Sequence, residues 1–402
     1  MKAESKKQFN EAESSKLDQS SFGLSALSSV LKIGFDGKRA ANNLTGLGNY
    51  SRSLIEQLAN EYPANDYFIY TPKAKESILK FSLFAKPNIH LVLPNKSKLL
   101  WRSFGIKNQL SEDKIDLFHG LSHEIPFGIN NTGIKSIVTI HDLIFLRKPQ
   151  YYKLIDRIIY KFKSKYACEN ADKIIAISEK TKEDIVELYK INPAKIEVIY
   201  QSCDDSFKTT ATELEKQNVK EKYQLPEEYI LSVGTIEPRK NLLVIIRALA
   251  QTNQNYKLAV IGKETAYAKL VKQEIEKLGL QSRVIFLKNI PFKDLPIIYQ
   301  LAKLFVLPSY YEGFGIPIIE ALYSKVPVIA ATGSCLEEAG GPDSLYVHPD
   351  DVEGFATAIN KVINEEDLQQ GMKAKGLLYV QKFDASQVAE QLLACYQKTL
   401  DN

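Results

Sequence analysis

The sequence predicts an α/β protein built from two Rossmann-like domains that face each other across a cleft. Three observations predict it. At 402 residues the chain has room for two domains of about 150 residues or more. Short apolar runs alternate with helical patterns, stop at a polar stretch, and then restart; such alternation builds parallel sheets with helices on both faces. Two charged, glycine-containing turns, at 234–241 and 308–320, each follow a strand and open a helix. Both therefore fall at the carboxyl edge of one sheet, where ligands bind in such folds.

Taken in order, residues 1–28 are rich in Lys, Glu, Ser, Gln and Asn and read as a disordered leader. Phe22, Leu24, Leu27 and Val30 could form a short amphipathic segment at its end. Strands of the first domain are expected at Lys32–Asp36, Tyr67–Tyr70, Ile89–Leu93, Asp116–His119, Ser136–His141, Lys173–Ile177 and Ile196–Tyr200. Helices are expected at Asn49–Asn60, Leu154–Asn170 and Thr181–Tyr189. In the first of these, Tyr50, Leu54 and Leu58 recur every four residues and define one buried face. Ser202–Glu221 is polar and aperiodic and reads as the connection between domains. The second run of strands is expected at Ile230–Gly234, Leu258–Ile261, Val284–Leu287, Leu304–Leu307, Val326–Ala330 and Leu345–Val347. A last helical segment, Ala385–Thr399, ends the chain. The domains are placed at 29–206 and 207–384.

Composition narrows the function classes. A net charge of +4 is too small to argue for nucleic acid. Cys168, Cys203, Cys335 and Cys395 are scattered, which opposes a disulfide framework or a zinc site and fits a reducing compartment. No apolar run approaches the roughly 20 residues of a membrane span. A soluble, cytoplasmic protein is expected.

The most informative stretch is Pro308–Glu320. Glu312 sits in the loop after a strand and Glu320 in the first turns of the next helix. Gly313-Phe314-Gly315 lets the backbone approach a ligand, and Pro317 gives up an amide hydrogen that the helix start leaves unpaired. The remaining amides can receive an anion. The second constellation is Gly234-Thr235-Ile236-Glu237-Pro238-Arg239-Lys240-Asn241. Arg239 can bind phosphate oxygens as a fork and Lys240 as a point charge, which suits a diphosphate.

With these motifs in view, residues 31 to about 400 resemble the retaining, nucleotide-sugar-dependent glycosyltransferases of the GT-B architecture, group 1 or family 4. Glu312-x7-Glu320 matches the family's E-x7-E motif, and Arg239 and Lys240 match its diphosphate-binding pair. The Gly-Thr-x-Glu-Pro-Arg-Lys-Asn subtype resembles bacterial cell-envelope members, several of them mannosyltransferases. The resemblance implies that Glu320 binds the donor ribose and that Glu312 meets the transferred sugar. It implies that Gly234, Thr235 and the backbone of Phe314, Gly315 and Ile316 hold donor phosphate and sugar. It also implies that the final helix, 385–402, returns to the first domain.

Two motifs of the first half match as well. Thr45-Gly46-Leu47-Gly48-Asn49-Tyr50 resembles the family's glycine loop, which places Gly46 and Gly48 near donor phosphate or acceptor. His141 and Asp142 stand in a loop where the family has a His near sugar and acceptor; an imidazole there can bond a hydroxyl or buffer charge. Ser178 either contacts ligand or caps the following helix. His119 is expected on the acceptor side. His119, His123 and Glu124 could bind metal only on a helix, which Gly120 and Pro126 oppose.

Arg147–Lys165 holds seven Lys or Arg against one acid, Asp156, with Tyr151, Tyr152, Tyr160 and Phe162 interleaved. This stretch suits anionic lipid headgroups or a lipid-diphosphate acceptor; it equally suits a solvated helix face.

The expected reaction moves a hexose from a nucleotide diphosphate to a hydroxyl with retention, in envelope polysaccharide or glycolipid synthesis. GDP-mannose leads as donor, with a UDP-hexose such as UDP-glucose next. The acceptor is a carbohydrate or lipid-linked, and no cofactor or essential metal is expected. A sugar-phosphate synthase, an epimerase or a non-catalytic subunit are the other readings. Thr332–Glu338 lacks the Pro-Glu usual in relatives.

Overall fold

The computed structural model describes residues 30–44, 46–94, 100–252 and 256–402. The expected leader, with Phe22, Leu24 and Leu27, and Thr45 of the glycine motif lie outside the described residues.

Thirteen strands form two sheets among the described residues. The first contains β1 (Lys32–Asp36), β2 (Asp66–Tyr70), β3 (Ile89–Val92), β4 (Leu117–Gly120), β5 (Lys135–Ile140), β6 (Lys173–Ala176) and β7 (Ile196–Val198). Their spatial order is β3-β2-β1-β4-β5-β6-β7. The second contains β8 (Tyr229–Val233), β9 (Lys257–Ile261), β10 (Val284–Leu287), β11 (Leu304–Leu307), β12 (Val328–Ala331) and β13 (Leu345–Val347), in the order β10-β9-β8-β11-β12-β13. Every pairing within both sheets is parallel. Each chain order reverses beside its first strand, and the crevice at that point is the ligand position of doubly wound sheets.

The strands read as unbroken apolar runs because both faces are covered. Leu304–Leu307 is buried throughout, as is Val328–Ala331, so these runs show no alternation. The final helix, Ala385–Leu400, adds Val388, Leu392 and Tyr396 to the core that holds Ile33 and Phe35 of β1, and so packs on the first domain. Its Asp384 cap accepts from Ser386 N.

Two local expectations need correction. The polar connection contains a helix, Glu213–Tyr223, opened by a capping box between Thr212 and Glu215. Val219 is its one buried residue, so the apolar period that would reveal it is absent. The glycine motif is not a loop: Gly46 and Gly48 lie in the first turn of helix Gly46–Glu61. A side chain at Gly48 would place its Cβ 1.9 Å from the Asn43 carbonyl oxygen, so this glycine lets the helix start against the preceding chain.

Candidate active site

The second sheet sets two turns side by side, because β8 and β11 are hydrogen-bonded neighbours. After β8 the chain passes Gly234 and Thr235 and makes a tight 3-10 turn, Pro238–Lys240. Asn241 follows with a left-handed φ of 54° and donates to the Pro349 carbonyl at 2.6 Å, which fixes where helix Leu242–Ala250 begins. After β11 the chain runs through Ser309–Gly315 into helix Ile316–Tyr323, with Pro317 in its first turn. Tyr310 N donates to the Arg239 carbonyl at 2.9 Å and ties the two turns together.

Glu312 is the hub. One carboxylate oxygen accepts from Arg239 Nη1 at 2.7 Å, and the other lies 2.5 Å from Lys240 Nζ. Arg239 also donates to the Tyr311 carbonyl and to Glu237, each at 2.7 Å. The three side chains are only 12–18% exposed. Burial would raise the Glu312 carboxyl, but Lys240 and Arg239 outweigh it and hold the group down at about 2. Burial works against the Arg239 charge too, and Glu312 and Glu237 restore it.

Glu320 stands in the second turn of its helix and behaves oppositely. Burial lifts its carboxyl to about 7, against the hydrogen bond from Tyr299 Oη at 2.8 Å and with a small push from Asp204. The two glutamates of one motif thus sit in opposite electrostatic settings, one held as an anion and one near neutrality. Between them, Phe314 buries its ring in the core, stacked on Tyr200 at 5.3 Å and edge-on to Phe383 at 5.2 Å. That packing orients the backbone of Gly315 and Ile316, where the helix opens. The Cys335 Sγ lies 3.1 and 2.8 Å from the Glu312 and Phe314 carbonyl oxygens, which share its one S–H.

The first sheet's loops meet this element directly. A Cβ on Gly313 would fall 2.2 Å from the His141 carbonyl oxygen. Ser178 Oγ donates to the Gly313 carbonyl at 2.8 Å while accepting from Thr181 N at 3.0 Å, so Ser178 is a helix cap and a bridge across the cleft at once. Tyr311 bonds Asp184, which Arg147 holds at 2.8 Å. Glu338 reaches over and accepts from Glu179 N at 2.7 Å and Lys180 N at 2.9 Å. Glu338 is thus an N-terminal anion for helix Glu179–Tyr189, supplied by the other half of the molecule. The stretch without Pro-Glu therefore retains a structural carboxylate.

Several expected side chains are placed differently. His141 is 4% exposed, and both ring nitrogens are engaged: Nε2 donates to the Leu121 carbonyl at 2.8 Å and Nδ1 accepts from Gln201 at 3.0 Å. Burial, then His123, depress it to about 3, so it is neutral and neither buffers charge nor offers a nitrogen to a hydroxyl. What it presents at the cleft is its backbone carbonyl. His119 is fully buried, with Nδ1 on Tyr396 Oη at 2.6 Å and Nε2 on Thr139 Oγ1 at 2.8 Å. It pins the final helix to the first sheet and does not line an acceptor site. Asp142 caps the next turn through Ile144 N at 3.0 Å and lies within the fields of Arg239 and Glu312. Gly46 opens its helix with open space where a Cβ would stand, which leaves that helix start approachable. Gln201 went unread in the sequence because it belongs to no local pattern, and the role of Glu338 was missed because its partners lie 158 and 159 positions away. His123, read in the sequence only as a possible metal ligand, has another setting: its ring lies 5.5 Å from that of His141, its φ is +60°, and its buried Nδ1 makes no hydrogen bond.

Comparison with known proteins shows the family. The family described as "Glycosyl transferases group 1" matches residues 214–378, and "Glycosyltransferase Family 4" matches residues 44–207. The chain belongs to the group 1, family 4 glycosyltransferases. It is 26% identical over 385 residues to the O-antigen chain mannosyltransferase B of Escherichia coli, covering 91% of this chain and 100% of that one. It is 33% identical over 242 residues to the O-antigen chain mannosyltransferase RfbU of Salmonella typhimurium, covering 60% of this chain and 63% of the relative. The structure of Anabaena HepE in complex with UDP and glucose superposes with a TM-score of 0.71 at 18% identity, over 92% of this chain and 100% of that one. The glycosyltransferase therefore has the GT-B fold, and its two matched regions hold β2–β7 of the first sheet and all of the second. Among the described residues, no helix is long and apolar enough to cross a membrane.

Proposed function

We propose that this glycosyltransferase moves a hexose, mannose first, from a nucleotide diphosphate sugar to a hydroxyl of a carbohydrate or lipid-linked acceptor in cell-envelope synthesis. The observation that carries the reading is the convergence of Arg239 and Lys240 on Glu312 at the carboxyl edge of β8 and β11. Two cations held side by side, nearly out of water, suit a leaving diphosphate. The relatives' names, O-antigen mannosyltransferases, support mannose and GDP-mannose as its carrier; a UDP-hexose is the competing donor.

In this mechanism the sugar C1–O bond to the diphosphate breaks and the acceptor oxygen bonds to C1. The acceptor's proton passes to the departing phosphate oxygen, and the nucleoside diphosphate leaves. Attack from the same face gives retention without a covalent enzyme intermediate. Arg239 and Lys240 take up the developing charge, worth about 100-fold or more in rate. Glu312 releases them as the diphosphate arrives and turns to the sugar, while Glu320 receives the ribose hydroxyls. Because two side-chain cations carry that charge, no essential metal is required, and turnover survives a chelator. The enzyme works at the cytoplasmic face of the membrane.

The test is transfer by purified enzyme from GDP-mannose and from UDP-glucose to a diphospholipid-linked sugar, with the product anomer read by NMR. An inverted anomer removes the mechanism. Turnover with UDP-glucose alone removes mannose.

A further inference from the structure

Helix Leu154–Asn170 is built inside out. Its buried residues are Ser164, Ala167 and Cys168, all in its second half. Its first half exposes Leu154, Ile155, Ile158, Ile159 and Phe162, each 45–71% accessible. A surface helix normally turns its apolar stripe inward, so an exposed stripe of large aliphatic side chains marks a docking face. The patch is continuous beyond the helix. Phe162 lies 5.9 Å from Phe127, which stacks at 5.1 Å on the exposed Phe104.

Charge identifies the occupant. Arg147 is turned inward onto Asp184 and Glu187, and Lys163 onto Glu124, so these two do not serve the surface. Among the described residues Lys148, Lys153 and Lys161 make no ion pair, and Asp156 is the only acid in the first half of the helix. Large apolar side chains flanked by free lysines fit a bilayer with anionic headgroups. A second copy of the chain fits less well, since charged residues, lysine above all, are depleted from protein interfaces. Tyr152, just before the helix, lies within the fields of Asp142 and Arg239, which sets the helix start near the cleft.

We infer that Leu154, Ile155, Ile158, Ile159, Phe162 and Phe104 form the surface by which this enzyme docks on an anionic lipid bilayer, with its cleft beside the headgroups. The inference rests on the proposed lipid-linked acceptor for its purpose. It is tested by pelleting the full chain with phosphatidylcholine vesicles, with and without phosphatidylglycerol. Binding is expected only to the anionic vesicles and is expected to weaken with salt. Ile155→Glu with Ile158→Glu should reduce it about tenfold or more, and Lys161→Gln about fivefold. Neither variant should change turnover on a water-soluble acceptor, which shows that it is folded. Absence of binding at low salt overturns the inference, as does equal binding by the variants. So does a wild-type dimer that the glutamate variants split, because the face then belongs to a second copy. Variant-sensitive binding by an enzyme that transfers no sugar leaves the docking face standing and removes the substrate reading.

Discussion

The carboxylate of Glu338, on the second half of the molecule, accepts the backbone N–H of Lys180, on the first, at 2.9 Å. The contact satisfies free amides at a helix start, a duty usually met from within the same helix. It therefore stabilises the closed arrangement of the two sheets and not either sheet alone. Glu338→Ala should cost the closed state about 1–2 kcal/mol, on the scale of a lost cap. Small-angle scattering should show a larger ligand-free molecule, and the donor KM should rise with little change in melting temperature.

Lys240→Ala should lower kcat at least about 100-fold. It leaves Glu312 held by Arg239 alone, so the carboxyl should titrate higher than in the parent enzyme. Near-parental turnover in a purified assay would exclude the pair from leaving-group stabilisation.

The two motif glutamates should give stability–pH slopes of opposite sign. Glu320 has its folded carboxyl raised from 4.5 to about 7. Between those values the native state keeps a proton that the unfolded chain has lost, so stability falls as pH rises through the window. Glu312 has its carboxyl lowered from 4.5 to about 2. Its contribution is present above the unfolded value and is lost as pH falls toward the folded one. In thermal melts, Glu320→Gln should flatten the curve between pH about 5 and about 7, and Glu312→Gln should flatten the acid side.

His119 and Tyr396 should prove structural. Tyr396→Phe removes a buried hydrogen bond and should cost about 1–3 kcal/mol in denaturant unfolding. The turnover of the remaining folded enzyme should stay unchanged, which an acceptor-binding role for His119 would not allow.

His123 should matter to the acceptor. Its unpaired ring nitrogen and left-handed backbone fit a residue held for a partner. His123→Ala is expected to raise the acceptor KM severalfold and leave the donor KM unchanged.

The sheets were legible because their strands are apolar runs set between turn residues, and the pair Arg239 and Lys240 because two adjacent cations in one turn are a local pattern. Glu312 was legible for its loop, but its ion pairs join turns more than 70 residues apart, which no spacing reveals. The histidines misled for the same reason. His119 sits in a strand like a ligand-lining residue, yet its partner Tyr396 is 277 positions away. Helix 213–223 escaped because its cap is polar and its one buried residue leaves no stripe.

At Gly313 a hydrogen atom is all that separates the two halves, where it meets the His141 carbonyl. A single methyl there would act as a shim. Each sheet would still fold and melt as before, yet the halves could no longer shut on a substrate. A chain carrying it would look healthy by every measure of folding of either sheet and be inert, a failure of fit between the halves that no stability screen would detect.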